Sequence, residues 1–405
     1  MPAAVCKGFV TIKVMSLGLL ILGIFLFIGL VVVHEFGHFI VARRNGVEVE
    51  EFGIFFPPRL FKRRTKGGWL FTINALPLGG FVKLKGEYDS DTAPGSFGAA
   101  SLWVKSKIMA AGVVLNLLTA LLMFTVLAWI GLPKLIPNQF TVKSDTKIIS
   151  QEVLISDVSP GTPAQAAGIK ANDAISYIGL PGQPPVAIDG PDKLSSTTEK
   201  FAGQTVEVTY SHRGHKSVAT VRLLSDQAVA AAKKAHQNKG HLGVVATPIG
   251  FSVQRSTWSA PIVAVGLTAQ ATALTFQGLG HALAGLGSLL AGAVTGNHAA
   301  REHGQTAASS QVSGPVGIFV ILKDGSLLGF RFVLFIIAII SLTLAIMNIL
   351  PIPALDGGRL WLTLASHGFK RPLSAQREDL INLAGFVILI SLMILVTLVD
   401  VKRFF

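Results

Sequence analysis

The chain has 405 residues, half of them hydrophobic and only 14% charged, with a positive mean hydropathy; this excludes an ordinary soluble domain and describes an integral membrane protein with a substantial soluble part. A net charge of +13 would suit nucleic acid, but the basic residues cluster beside apolar runs, where they act as topology signals, so no nucleic-acid partner is expected. The single cysteine, Cys6, excludes an internal disulfide framework and a cysteine-based zinc site.

The first predicted element is an almost unbroken apolar run from Val14 to Ala42. At about 29 residues, or about 43 Å as a helix, it is too long for a signal-peptide core and is expected to remain as a membrane span. Inside it lies His34-Glu35-Phe36-Gly37-His38. Residues four apart share one helix face, so His34 and His38 can both offer imidazole nitrogen to one Zn²⁺ while Glu35 reaches a water at the metal. A helix that merely tolerates three polar residues is the bland alternative. Against it stands the cost of an ionisable group in a span, roughly 2.5–3.5 kcal/mol on insertion scales.

From Val47 to Leu84, β-branched and aromatic residues broken by Pro57-Pro58, Gly67-Gly68 and Gly79-Gly80 suggest hairpins, with a plain loop as the alternative. A second span is predicted from about Ile108 to Ile130. A segment of about 200 residues follows and holds the soluble part. Strands are expected at Thr205–Tyr210, Ser217–Leu223 and Gly240–Val245, with an exposed helix over Ser225–Lys239. His212, His215, His236 and His241 have no ligand spacing and are read as solvated. The apolar stretch Ala260–Val294 is long enough to cross, but a crossing would put later segments on the wrong side of His34 and His38. It is therefore read as an interfacial helix with His281 on its wet face.

Two more spans are predicted, about Leu328–Leu350 and Leu380–Val399, each near the ~20 residues a helix needs to cross the hydrocarbon. Nine basic residues lie between Arg43 and Lys85, Lys105 and Lys107 follow, and Arg359, Lys370, Arg371 and Arg377 join the last two spans. These make both connections cytoplasmic and the long middle segment extracytoplasmic. After the third span comes Asn348-Ile349-Leu350-Pro351-Ile352-Pro353-Ala354-Leu355-Asp356-Gly357-Gly358. Two prolines break the helix there, and irregular backbone at membrane depth is tolerated only where protein or a water-lined cavity surrounds it. Spans one and three run the same way, so Asp356 falls at the same end as His34 and His38. It is either the missing third ligand or a simple turn.

Together the residues resemble the bacterial site-2 proteases, intramembrane zinc metalloproteases that carry a PDZ domain, over nearly the whole chain. His34, Glu35 and His38 match the family's first motif. Asn348, Pro351, Pro353, Leu355, Asp356 and Gly357 match its second. Weaker echoes are Pro77–Lys83, Ser313–Ile318 and Gly385. One departure is Gly112-Val113-Val114-Leu115-Asn116, which keeps the asparagine but lacks a proline the family often has. The stretch Val158–Ile175 resembles the centre of a bacterial PDZ domain.

The resemblance implies a polytopic α-helical membrane protein of about four transmembrane helices, with a membrane-associated β-hairpin region and one extracytoplasmic α+β PDZ domain. Residues 1–147 would form the N-terminal membrane region, 148–247 the PDZ domain, 248–327 an interfacial helix and linker, and 328–405 the C-terminal membrane region. It further implies Zn²⁺ held by His34, His38 and Asp356, with Glu35 as the general base. Asn348, Asn116, Pro351 and Pro353 would contact the substrate, and the hairpin sheet would accept it as an added strand. Substrates would be single-pass membrane proteins already trimmed outside, such as anti-sigma factors or remnant signal peptides. The site would lie near the cytoplasmic face of the bacterial cell membrane, in contact with the lipid bilayer. The rivals are a non-catalytic PDZ scaffold, which needs no Glu35, and a zinc transporter, which needs more polar spans.

Overall fold

The computed structural model describes residues 3–88, 91–212, 215–234, 239–246, 251–298, 314–369 and 374–404. Expectations that fall on His236, Thr247, Ser313, Lys370 and Arg371 lie outside them. Among the described residues, five helical stretches are long and apolar enough to cross a membrane: Leu17–Arg44, Leu102–Ile130, Ala260–Leu289, Phe330–Ile349 and Ala375–Val401. In lipid a helix satisfies every interior backbone group by itself, which is why uninterrupted apolar runs take this form. With its sheets, the chain is a multi-pass membrane protein of mixed helix and strand.

The fold divides into two compact units. The first holds Leu22–Met123, Thr268–Leu322 and Ile336–Phe405. Its opening helix α1 (Ala3–Arg44) ends at Arg43 and Arg44 and leads into β1 (Val49–Arg64) and β2 (Leu70–Leu84). Each of these long strands bends and pairs twice. The first half of β1 lies between Leu70–Ile73 and Gly80–Leu84, while Arg59–Arg64 pairs with Leu70–Asn74. The result has four ladder segments, with Arg59–Arg64 and Gly80–Leu84 as its edges. The bend in β1 falls at Phe55, with φ of 68°, and Pro57-Pro58, which lack ladder donors. Buried Glu51 closes the fold-back by taking Arg59 Nη2 and Thr72 Oγ1, each at 2.7 Å. Phe39 of α1 packs on Phe52 and Trp69, with ring centroids 5.6 and 4.8 Å away. The sheet is thereby fixed one turn beyond Glu35.

Helix α2 (Leu102–Ile130) meets α1 at two glycines. A Cβ on Gly37 would lie 2.7 Å from the Ala111 carbonyl oxygen, so only small residues allow this approach. The second unit comprises Met1–Ile21, Phe124–Leu267 and Lys323–Phe335. Its strands are β3 (Leu132–Pro133), β4 (Lys147–Val158), β5 (Ala174–Gly179), β6 (Val186–Ala187), β7 (Thr205–His212), β8 (His215–Arg222), β9 (Val244–Ala246) and β10 (Phe251–Arg255). They pair in the order β3-β10-β4-β5-β7-β8, with β6 on β5 and β9 on β4. Alternating residues such as Val206 and Val208 point inward beside Ile155, Ile175 and Ile178 to form its core. Helices α3 (Pro163–Ala166), α4 (Pro191–Lys200) and α5 (Asp226–Lys234) complete it. The expected strands and exposed helix have counterparts here; α4 and the pairing of β10 with β4 were not anticipated.

Helix α6 (Ala260–Thr295) is one continuous helix. Its start is held by Asp145, which accepts bonds from the Thr257 amide at 2.7 Å and from the Ser259 amide and hydroxyl at 3.0 and 2.6 Å. These donors hold the Asp145 carboxyl well below the usual carboxylate range. After α7 (Pro315–Leu328) come α8 (Phe330–Ile349), α9 (Asp356–Gly368) and α10 (Ala375–Phe404). The amides of Gly314 and Gly317, at the start of α7, are both taken by the buried carboxylate of Asp400 at 2.8 Å. Proline at the first helical position leaves one fewer amide to satisfy there.

Candidate metal centre

The two histidines come from one face of α1, and the break between α8 and α9 brings Asp356 to them. Helix α8 stops at Ile349; Leu350–Leu355 form an irregular link in which Ala354 has φ of 71°, and Asp356 opens α9. Gly357 and Gly358 lack room for a Cβ against the backbone of Ile349–Pro353, so the first turn of α9 is pressed onto that link. Trp361 Nε1 donates to the Ile349 carbonyl at 3.3 Å, closing the end of α8. Gly385 of α10 supports it from behind: a Cβ there would come within 2.5 Å of Pro353. Asp356 also stands on the first turn of a helix, where a carboxylate gains about 0.3–1 kcal/mol from the helix dipole.

Three ligand-type atoms converge. His34 Nε2 and Asp356 Oδ2 are 2.9 Å apart, His38 Nε2 and Oδ2 3.1 Å, and the two Nε2 atoms 3.3 Å. A tetrahedral zinc with bonds of ~2.0–2.1 Å holds its ligand atoms about 3.3 Å apart, so the triangle fits that ion with little adjustment. Two nitrogens and one oxygen also match the donor set of a catalytic zinc, which leaves a fourth position open. Both histidines are buried.

The ring orientations agree with this use. His38 Nδ1 donates to the Ile108 carbonyl at 2.7 Å, which leaves Nε2 with its lone pair directed at the triangle. His34 Nδ1 faces the Asn116 side-chain amide at 3.3 Å. Asn116 is fully buried and its Oδ1 has no partner among the described residues; turning the amide puts that oxygen on Nδ1–H and again frees Nε2. The Asn116 backbone carbonyl is anchored by the Ser341 hydroxyl at 2.8 Å. Gly112 fills the space behind the pair, since a Cβ there would lie 2.5 Å from His38 Nε2 and 2.6 Å from His34 Cε1.

Glu35 lies beside the triangle and over the sheet. Gly80 passes so close that a Cβ would be 3.0 Å from Glu35 Cγ. Asn348 is partly exposed at the end of α8, with Pro351 and Pro353 in the link that follows. The site residues read from the sequence thus fall in one unit, with His34, His38 and Asp356 in direct contact. Gly112 and Gly80 enter the sequence reading only as parts of motifs and not as site residues, and the Ile108 carbonyl does not enter it. Only a glycine inside each of two facing elements hinted at them.

The family model described as Peptidase family M50 matches residues 22–392, from the first span to the last. A Clostridium perfringens protein provisionally named a zinc metalloprotease is 28% identical over 397 residues, covering 94% of this chain and 98% of its own length. The zinc metalloprotease RasP of Shouchella clausii is 26% identical over 457 residues, covering 93% of this chain and 97% of its own. With a match spanning both halves of the site, the chain belongs to peptidase family M50, the site-2 protease family, and is a membrane zinc metalloprotease.

Proposed function

We propose that the protein hydrolyses peptide bonds within membrane segments of single-pass proteins already shortened outside the membrane, with anti-sigma factors and remnant signal peptides as the substrate classes. The observation that carries this reading is the triangle of His34, His38 and Asp356 beside Glu35 at the rim of a sheet edge. His34, His38 and Asp356 hold the zinc, which when bound acidifies water and polarises the scissile carbonyl. Glu35 takes the proton of the attacking water and returns it to the departing amine nitrogen. Asn116 orients His34, and Asn348 faces the substrate backbone. An extended substrate segment adds to the Gly80–Leu84 edge, because a helical peptide bond is shielded until it is unwound.

Residues 148–247 act as an extracytoplasmic PDZ domain that selects substrates, and the basic connections hold the site near the cytoplasmic face. The process is regulated intramembrane proteolysis. Cleavage of a reporter membrane peptide in detergent, measured beside zinc content, tests the assignment. E35Q should lose about 10²–10⁴-fold in rate and keep its zinc, as a proton-transfer residue does. D356A should lose both. Full zinc occupancy in D356A, or near-normal turnover in E35Q, would contradict these roles.

A further inference from the structure

The Gly80–Leu84 edge is not open along its whole length. The Lys85 amide donates inward to the Glu48 carbonyl at 2.9 Å, and amides alternate along an antiparallel strand, so Gly80, Val82 and Leu84 turn their backbone groups outward. The Leu84 amide is already taken: it donates to Glu87 Oε1 at 3.1 Å. Glu87 is fixed in turn by Arg359, whose Nη2 donates to the Glu87 carbonyl at 3.0 Å while Nη1 lies 3.7 Å from Oε2. Arg359 stands one turn after Asp356 on α9. Gly80 carries no side chain to obstruct an approach.

We propose that Glu87 is a specificity-determining residue: it ends the pairing edge at Val82, so a substrate strand pairs through Gly80 and Val82 and stops against the Glu87–Arg359 pair. This deepens the strand-addition reading and rests on it. The stop fixes register. A strand that cannot slide toward Leu84 presents one bond beside Glu35, because strand slippage that preserves side-chain facing moves in steps of two residues. The Glu87 and Arg359 side chains are 36% and 31% exposed, so an incoming chain meets them directly.

Backbone N-methylation, walked along a synthetic membrane peptide, provides the test with the zinc-loaded full-length protein in detergent. In the wild type, methylation should raise KM at two alternate substrate positions. E87A should add a third sensitive position two residues further along and lower KM for the unmethylated peptide about three- to tenfold, the worth of one hydrogen bond, with kcat little changed. It should also spread the cleavage sites by two residues in mass spectra. E87Q retains an acceptor oxygen for Leu84 and should behave as the wild type. Unaltered KM and sites in a folded E87A protein would overturn the stop. So would three sensitive positions in the wild type, a measurement that does not depend on any variant folding. Cleavage insensitive to methylation everywhere would instead remove strand addition itself, and the stop with it.

Discussion

At the scale of single residues, the site is defined as much by absent side chains as by present ones. Gly112 illustrates this: its missing Cβ is what lets α2 lie against both imidazoles. G112A should therefore weaken zinc binding at least about tenfold, the usual cost of disturbing the groups that orient metal ligands, while leaving the helices in place. Competition with a chelator measures the first and circular dichroism the second. Wild-type zinc affinity in that variant would show that α1 and α2 yield easily. The His34–His38 pair shows in the sequence because helix periodicity acts locally; the proline break leaves Asp356 as either a third ligand or a turn, and Asn116 and Asn348 enter only through the family resemblance. The roles of the glycines, the Ile108 carbonyl and Glu87 do not show, because close backbone approach is decided by the partner element, which no local pattern names.

At the scale of elements, the hairpin region shows where local reading stops. Its Pro and Gly breaks mark bends, but whether the bent strands make two hairpins or one interleaved sheet depends on Glu51 finding Arg59 and Thr72. The start of α6 offers a test of another kind. Asp145 has a folded pKa below its ordinary 3.8, so the stability it contributes is present above that pH and is lost as pH falls below it toward the folded value. D145A should therefore melt below the wild type at pH 7, and the gap should begin to narrow as pH falls below 3.8. The carboxylate is exposed, so solvent screening keeps the gap small. A gap that persists unchanged at low pH would assign the effect to packing. The topology argument makes α6 interfacial, whereas by length and hydropathy it also qualifies as a span.

On the scale of the whole molecule, the segment proposed as a PDZ domain shares its first strand with a neighbouring ribbon. The first half of β4 pairs with β10 and the second half with β9, so β4 belongs both to the domain proposed as PDZ and to the ribbon that joins α2 and α6. Removing 148–247 strands β10 without its neighbour. Excising Ser159–Gly243 behind a short linker keeps β4 against β10. The shorter excision should retain the wild-type proteolytic fragment pattern and cleave a short, pre-trimmed substrate, and the longer one should be degraded faster. Equal protease resistance of the two would show that the ribbon contributes little. No periodicity could have revealed this, because β10 and β4 meet across about a hundred intervening residues, and loop closure of that length costs little more than a shorter one.

The ligand triangle also sets a clock. Asp356 follows His34 by 322 residues, so at ~5–20 residues per second the histidine pair leaves the ribosome about 15–65 s before its carboxylate partner. On the ligand set proposed above, the nascent chain would carry Glu35 and two nitrogens throughout that interval without the oxygen that completes the cage. A newly made chain should then be inert until Asp356 has been made and placed.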